Sequence, residues 1–172
     1  VRQLTAASLP PALVETLAHS LRALQYQETT AVLLREAVTL AGSLARTATR
    51  DFSSESEAFR QAVARLAEAA DPNRSDFSPG AVSVRLDEAE AQYQKLKEAL
   101  LVGGAHARLD IRTMQDWLRL ASLERRATEQ VAKGARMLAA LEEGTSAAEV
   151  ARNDDADRAP NDAATYSDSN ES

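Results

Sequence analysis

Between Val82 and Leu100 the apolar side chains recur at steps of four, three, four, three and four: Val82, Leu86, Ala89, Tyr93, Leu96 and Leu100. A strand has a period of two and would send members of this set to opposite faces, whereas an α-helix gathers all six into one stripe. Sustained over almost three heptads, the pattern is a coiled-coil-like seam, which is stable only with a second helix laid along it. These six residues are the candidate interaction seam, and they commit the chain to helices packed side by side.

The remaining sequence agrees. Aromatic residues are 4% of the 172 residues, and Ile111 is the single isoleucine. β-Branched and aromatic residues are what strands favour, and no segment alternates them at period two. Ala, Leu, Arg, Glu and Gln dominate instead, and these are strong helix formers. The chain is long enough for one domain with its own core. The expected fold is all-α: an antiparallel helical bundle of about four helices over residues 11–143, preceded by a lead-in at 1–10 and followed by a disordered acidic tail at 144–172.

Punctuation along the chain places the helices. Pro10 and Pro11 suit a first helical turn, where a missing N–H goes unnoticed, and Ser8 can cap it. The first helix is expected to run to about Arg50. It carries a narrow stripe of Val14, Leu17, Leu21 and Leu24 in its first half and a wider apolar face, from Leu33 to Ala48, in its second. So broad a face predicts several neighbours, which makes this helix the expected central element. Ser54 and Glu57 have capping-box spacing and predict the start of a second helix that ends near Ala70. Residues 71–80 carry two prolines and a glycine and read as a loop. The seam helix follows, and Gly103-Gly104 is expected to end it, glycine being at ease in a left-handed C-cap. Thr113, with Asp116 three residues on, is read as the cap of a fourth helix reaching about Glu143, with Trp117, Leu120, Leu123, Ala127, Val131, Leu138 and Leu141 facing in. Gly134 shares that face, where it could admit a close neighbour.

The charge is unevenly distributed. The chain carries a net charge of −6, of which −5 belongs to residues 144–172. A nearly neutral body offers no electrostatic footprint for nucleic acid. The richest basic run (Arg108, Arg112, Arg119, Arg125, Arg126, Lys133 and Arg136) is interleaved with Asp110, Asp116, Glu124 and Glu129, the composition of a solvated helix face. Cysteine is absent, which removes thiol chemistry and disulfides. No run of 18 apolar residues predicts a membrane span, and no signal peptide is visible, so a soluble, cytoplasmic chain is the default expectation.

Candidate chemistry is sparse. Glu15 and His19 stand at i and i+4 on one helical face, but a di-iron bundle needs Glu-x-x-His pairs supplied twice, and the chain has none. His106 follows the glycine pair, with no nucleophile in a recognisable context. Gly103-Gly104 lacks the Lys-Ser/Thr and the preceding strand of a phosphate loop. Asn73-Arg74-Ser75 and Asn170-Glu171-Ser172 match a glycosylation sequon that arises readily by chance in polar loops.

Leu109-Asp110-Ile111, with Gln115, Leu118 and Ala121 and a helix of some thirty residues ending at Gly144, resembles the final helical hairpin of outer-membrane efflux channel proteins. The likeness spans about forty residues. The barrel strands of those proteins have no counterpart in this sequence, and no function is taken from the likeness. The expectation is a non-enzymatic helical scaffold or protein–protein interaction segment, self-associating or part of a larger assembly, without cofactor, catalytic or metal site. A small-molecule ligand is not expected on this reading. The alternative is a four-helix sensory or ligand-binding domain with a pocket near Tyr26, Trp117 or Tyr93.

Overall fold

A computed structural model describes residues 10–44 and 52–157, with side chains described as far as Gly144. All four elements are helices: α1 (Pro11–Leu44), α2 (Ser53–Ala69), α3 (Pro79–Ala105) and α4 (Ile111–Asp157). The expected all-α bundle is what the chain forms. Among the described residues, no helix is long and apolar enough to cross a membrane.

The helices run antiparallel to their main neighbours: α1 packs on α4, α2 on α3, and α3 on α4. Position 36 of α1 meets 119 of α4, while Tyr26 lies beside Gly134 further along. On the other side, Phe59 of α2 meets Tyr93 of α3, with ring centroids 6.0 Å apart. Tyr93 in turn lies 5.2 Å below the Arg125 guanidinium of α4.

The central element is α4, which corrects the expectation for α1. Alanines let neighbours close on α4 from two sides. Ala121, Ala132 and Ala135 sit in the clusters shared with α2 and α3, while Leu120, Leu123 and Ala127 pack against Leu33, Ala37 and Leu44 of α1. The helix α1 has one principal neighbour, so its broad apolar circumference is only partly covered. Its narrow stripe is not core: Val14, Leu17, Leu21 and Leu24 are exposed, and the residues that meet α4 are Ala23, Leu33, Ala37 and Leu44.

Helix boundaries show where local signals were outweighed. Ser54 does not cap α2. The helix begins at Ser53 behind Phe52, and the Ser54 hydroxyl donates to Glu55 Oε2 at 2.7 Å. Phe52 is almost fully buried and stacks edge-on against Trp117 at 5.0 Å, and that anchoring fixes the start of the helix. The cap of α4 is Asp110 rather than Thr113: Thr113 N–H donates to Asp110 Oδ1 at 2.9 Å. Ser78 caps α3, accepting from Ala81 N–H at 3.1 Å with Pro79 in the first turn, so Pro79 and Gly80 belong to the helix and not to the loop.

Gly103 and Gly104 are helical, and α3 ends beyond them at Ala105. The left-handed residue is Ala107, at φ 54°. Its N–H donates to Gly104 O and that of Arg108 to Gly103 O, at 3.1 and 3.0 Å, which is the paired hydrogen bonding of a Schellman motif. The glycines have another use: a Cβ on Gly103 would stand 3.1 Å from Leu109 Cδ1, and one on Gly104 only 2.2 Å from Met114 Sδ. They let the start of α4 fold down on the end of α3.

The helix α4 also passes the expected boundary near Glu143 and continues through Gly144 to Asp157. One glycine costs a helix only about 1 kcal/mol, and Ala147, Ala148 and Ala151 are strong formers. Residues 158–172, the rest of the expected tail, and residues 45–51, where α1 was expected to continue, lie outside the described residues.

Candidate functional site

Two surfaces remain once the packing is accounted for. The first is the outer side of α1. At 100° per residue, Val14, Leu17, Leu21 and Leu24 follow a heptad line on the side away from α4. Leu21 and Leu24 keep 61% and 60% of their surface exposed, with Leu13 beside them; the line ends at the exposed Glu28, beyond which Val32 and Val38 are also exposed, Val38 at 71%. Along the seam from residue 13 to 27 the positions beside it are Leu13, Ala18, Ser20, Gln25 and Gln27, none of them charged. Isolated apolar residues on a surface are ordinary, whereas several large ones in one helical register form a continuous apolar line.

The second is a trough between α1 and α2. These two helices are not packed on each other, and the stripe of α4 between their contact faces forms its floor. Three adjoining cavities of about 360, 270 and 390 Å³ make up the trough. The first and second share Arg60 and Glu124, and the second and third share Thr30, Leu34 and Val131. From Trp117 to Leu138 the floor runs roughly 30 Å at 1.5 Å per residue.

Most of this trough is apolar, which makes its polar groups informative. Trp117 Nε1 is buried without a hydrogen-bond partner. The Glu124 carboxyl faces two of the cavities and takes part in none of the side-chain hydrogen bonds or ion pairs among the described residues. Burial raises its pKa above the ordinary carboxylate range, with the Arg60 charge opposing. Arg60 itself is engaged elsewhere, pairing with Glu57 at 3.0 Å and donating from Nε to Ser56 O at 3.4 Å.

The residues singled out by the sequence are placed as follows. Of the candidate seam, Val82, Ala89, Tyr93, Leu96 and Leu100 are buried and Leu86 is half-buried; they pack against α2 and α4 of the same chain. The seam is thus occupied by helices of the same chain. Trp117 lies in the trough and Tyr26 on the α1–α4 contact, while Tyr93 is enclosed on the far side, so the three aromatics do not surround one pocket. His19 is half-buried on α1 and His106 caps the end of α3, and among the described residues no three His, Asp or Glu side chains converge on a metal-sized site.

The basic run divides. Arg119 pairs with Glu36 of α1. Arg125 pairs with Glu90 of α3 at 3.0 Å and with Glu129 at 2.8 Å, while Arg108, Arg112, Arg126, Lys133 and Arg136 are exposed. Sequence reasoning missed Glu124, although a signal was present: Trp117, Leu120, Glu124, Val131 and Leu138 share one helical stripe, and Glu124 is its only charge. Compared with protein-family models, with curated proteins and with solved structures, the chain matches none.

Proposed function

We propose that this chain is a non-enzymatic helical interaction segment, a scaffold element of a larger assembly, and that the outer side of α1 is its docking surface. The observation that carries this reading is the Val14–Leu24 stripe, a heptad line of large apolar side chains on the side of α1 turned away from α4, its principal neighbour among the described residues. Such a stripe buried against a second helix contributes roughly 1.5–3 kcal/mol per large side chain, and left in water it contributes nothing. Lone surface leucines need no explanation; a register of them does.

The exposed stripe is also easy to probe without disturbing the fold. A photo-reactive amino acid placed at Leu21, with a matched control at the exposed Ala64 of α2, samples both surfaces in cells producing the full chain. The expected result is a discrete cross-linked product from position 21 and none from position 64. If position 21 gives no product, or only links within a single copy of the chain, the proposal fails. Replacing Leu17 and Leu21 together by lysine is expected to remove the product while leaving the helical circular dichroism signal unchanged.

A further inference from the structure

The cavity at the Trp117 end of the trough has the composition of a ligand site rather than of a packing defect. Its walls are apolar, contributed by Leu44, Phe52, Leu96 and Leu120, and its volume of about 360 Å³ lies within the range of small-molecule pockets. A mere gap between helices would be lined by groups already satisfied within the protein. Here one is not. The Glu124 carboxyl, half-buried among apolar neighbours, has neither a hydrogen-bond donor nor an ion-pair partner among the described residues. Such a group lowers stability, and most buried polar atoms in native proteins are paired. Ser53 and the buried Ser56 add hydroxyls to the same wall.

We infer that this cavity binds a small organic cation, an ammonium group carried on an apolar body, with the Glu124 carboxylate as its counter-ion and the Trp117 and Phe52 rings as its aromatic wall. The sign follows from what is left over at the site. Among the described residues Arg60 is the only cation lining the cavity, and it is already paired with Glu57, with a side chain 61% exposed. Among the described residues Glu124 is the only carboxylate in the lining, and it takes part in none of their side-chain hydrogen bonds or ion pairs. A ligand ammonium therefore meets a negative charge that Arg60 offsets only from a distance, without an ion pair, and a ligand carboxylate meets the same charge as a repulsion. Tryptophan is the aromatic side chain that attracts cations most strongly over its face, and an edge-on Phe52–Trp117 pair supplies a rigid partner for the apolar body. The inference is independent of the α1 docking surface: it concerns the opposite side of that helix, and either can hold without the other.

Trp117 is the only tryptophan in the chain, so its fluorescence reports on this cavity alone. The full chain is titrated with 2-phenylethylammonium, with the uncharged 2-phenylethanol and with phenylacetate, and also with cyclohexylmethylammonium and benzyltrimethylammonium to vary the body and the head. The expected result is a saturable change with at least one ammonium, about ten-fold tighter than with the alcohol, and none with the carboxylate. Glu124→Gln is expected to abolish the preference for the cation, so that ammonium and alcohol bind alike. The same variant unliganded is expected to melt higher than the parent, because it no longer buries an unpaired carboxyl, which separates loss of binding from loss of fold. Equal binding of alcohol and ammonium by the parent, tighter binding of the carboxylate, or no saturation by any ammonium at about 10 mM would each overturn the inference. So would a Glu124→Gln variant that is folded and keeps the cation preference.

Discussion

The two sides of α4 treat the same kind of sequence in opposite ways. On the α2–α3 side, Phe59, Leu66, Val82 and Leu100 are completely removed from solvent, each held by residues of at least two other helices or turns. On the α1 side a leucine-rich helix has one principal neighbour among the described residues, and eight of its eleven leucines and valines remain in water. Heptad spacing is present in both α1 and α3. What differs is the number of helices that surround the stripe, and apolar burial scales with area covered rather than with the number of leucines. The well-packed side explains why the chain folds; the other side is where it has surface to offer.

The contrast is broken most directly by paired truncations. Leu66→Ala leaves a cavity in a site with no exposure and is expected to cost about 3–4 kcal/mol in denaturant unfolding. Leu21→Ala, the same chemistry on the outer stripe of α1, is expected to change stability by less than about 0.5 kcal/mol. Equal losses would mean that the stripe is covered in the isolated chain. An intermediate case sharpens the comparison. Leu33→Ala, on the α1–α4 contact, is expected to cost about 2 kcal/mol, and amide exchange should accelerate in α1 while the amides of α2 and α3 stay protected.

A smaller effect is expected at the end of α3. Ala107 holds the left-handed conformation that an L side chain resists, and Ala107→Gly should raise the unfolding free energy by about 1 kcal/mol. A loss there would contradict the Schellman geometry. The smallest effect depends on pH. Burial raises the Glu124 pKa from its ordinary 4.5, with Arg60 opposing. A carboxyl that holds its proton more tightly in the folded chain favours folding below the ordinary glutamate value, and that contribution is lost as pH climbs through the raised folded value. The melting midpoint of Glu124→Gln should therefore exceed that of the parent by a margin that grows from the ordinary glutamate range upward. A margin that is constant with pH would place Glu124 in water.

Much of this architecture was legible before any coordinates, because its signals are local. The 4-3-4-3-4 line from Val82 to Leu100 needs only the helical period, and the proline-rich turn after Ala70 needs only backbone sterics. The failures have a common cause in tertiary packing. Ser54 and Glu57 carry a genuine capping pattern, yet burying Phe52 against Trp117 starts the helix earlier. Gly103 and Gly104 read as a helix stop, but Leu109 and Met114 need their missing side chains. The alanines of α4 give no sequence signal of a central helix, yet Ala121, Ala132 and Ala135 let neighbours approach it closely. Of the candidate surfaces, the stripe on α1 was visible as a periodicity but was assigned to the core. The isolation of Glu124 could be read only after α1 and α2 were known to stand apart.

The central claim is that α1 stands outside a packed three-helix unit, held to it along one face. Amide hydrogen exchange followed by mass spectrometry, helix by helix on the full chain, tests this most directly. The account predicts that amides across residues 11–32 exchange through local opening at a lower free energy than those of α2, α3 and the middle of α4, which should exchange only with global unfolding. Protection of residues 11–32 equal to that around Phe59 and Leu66 would contradict it.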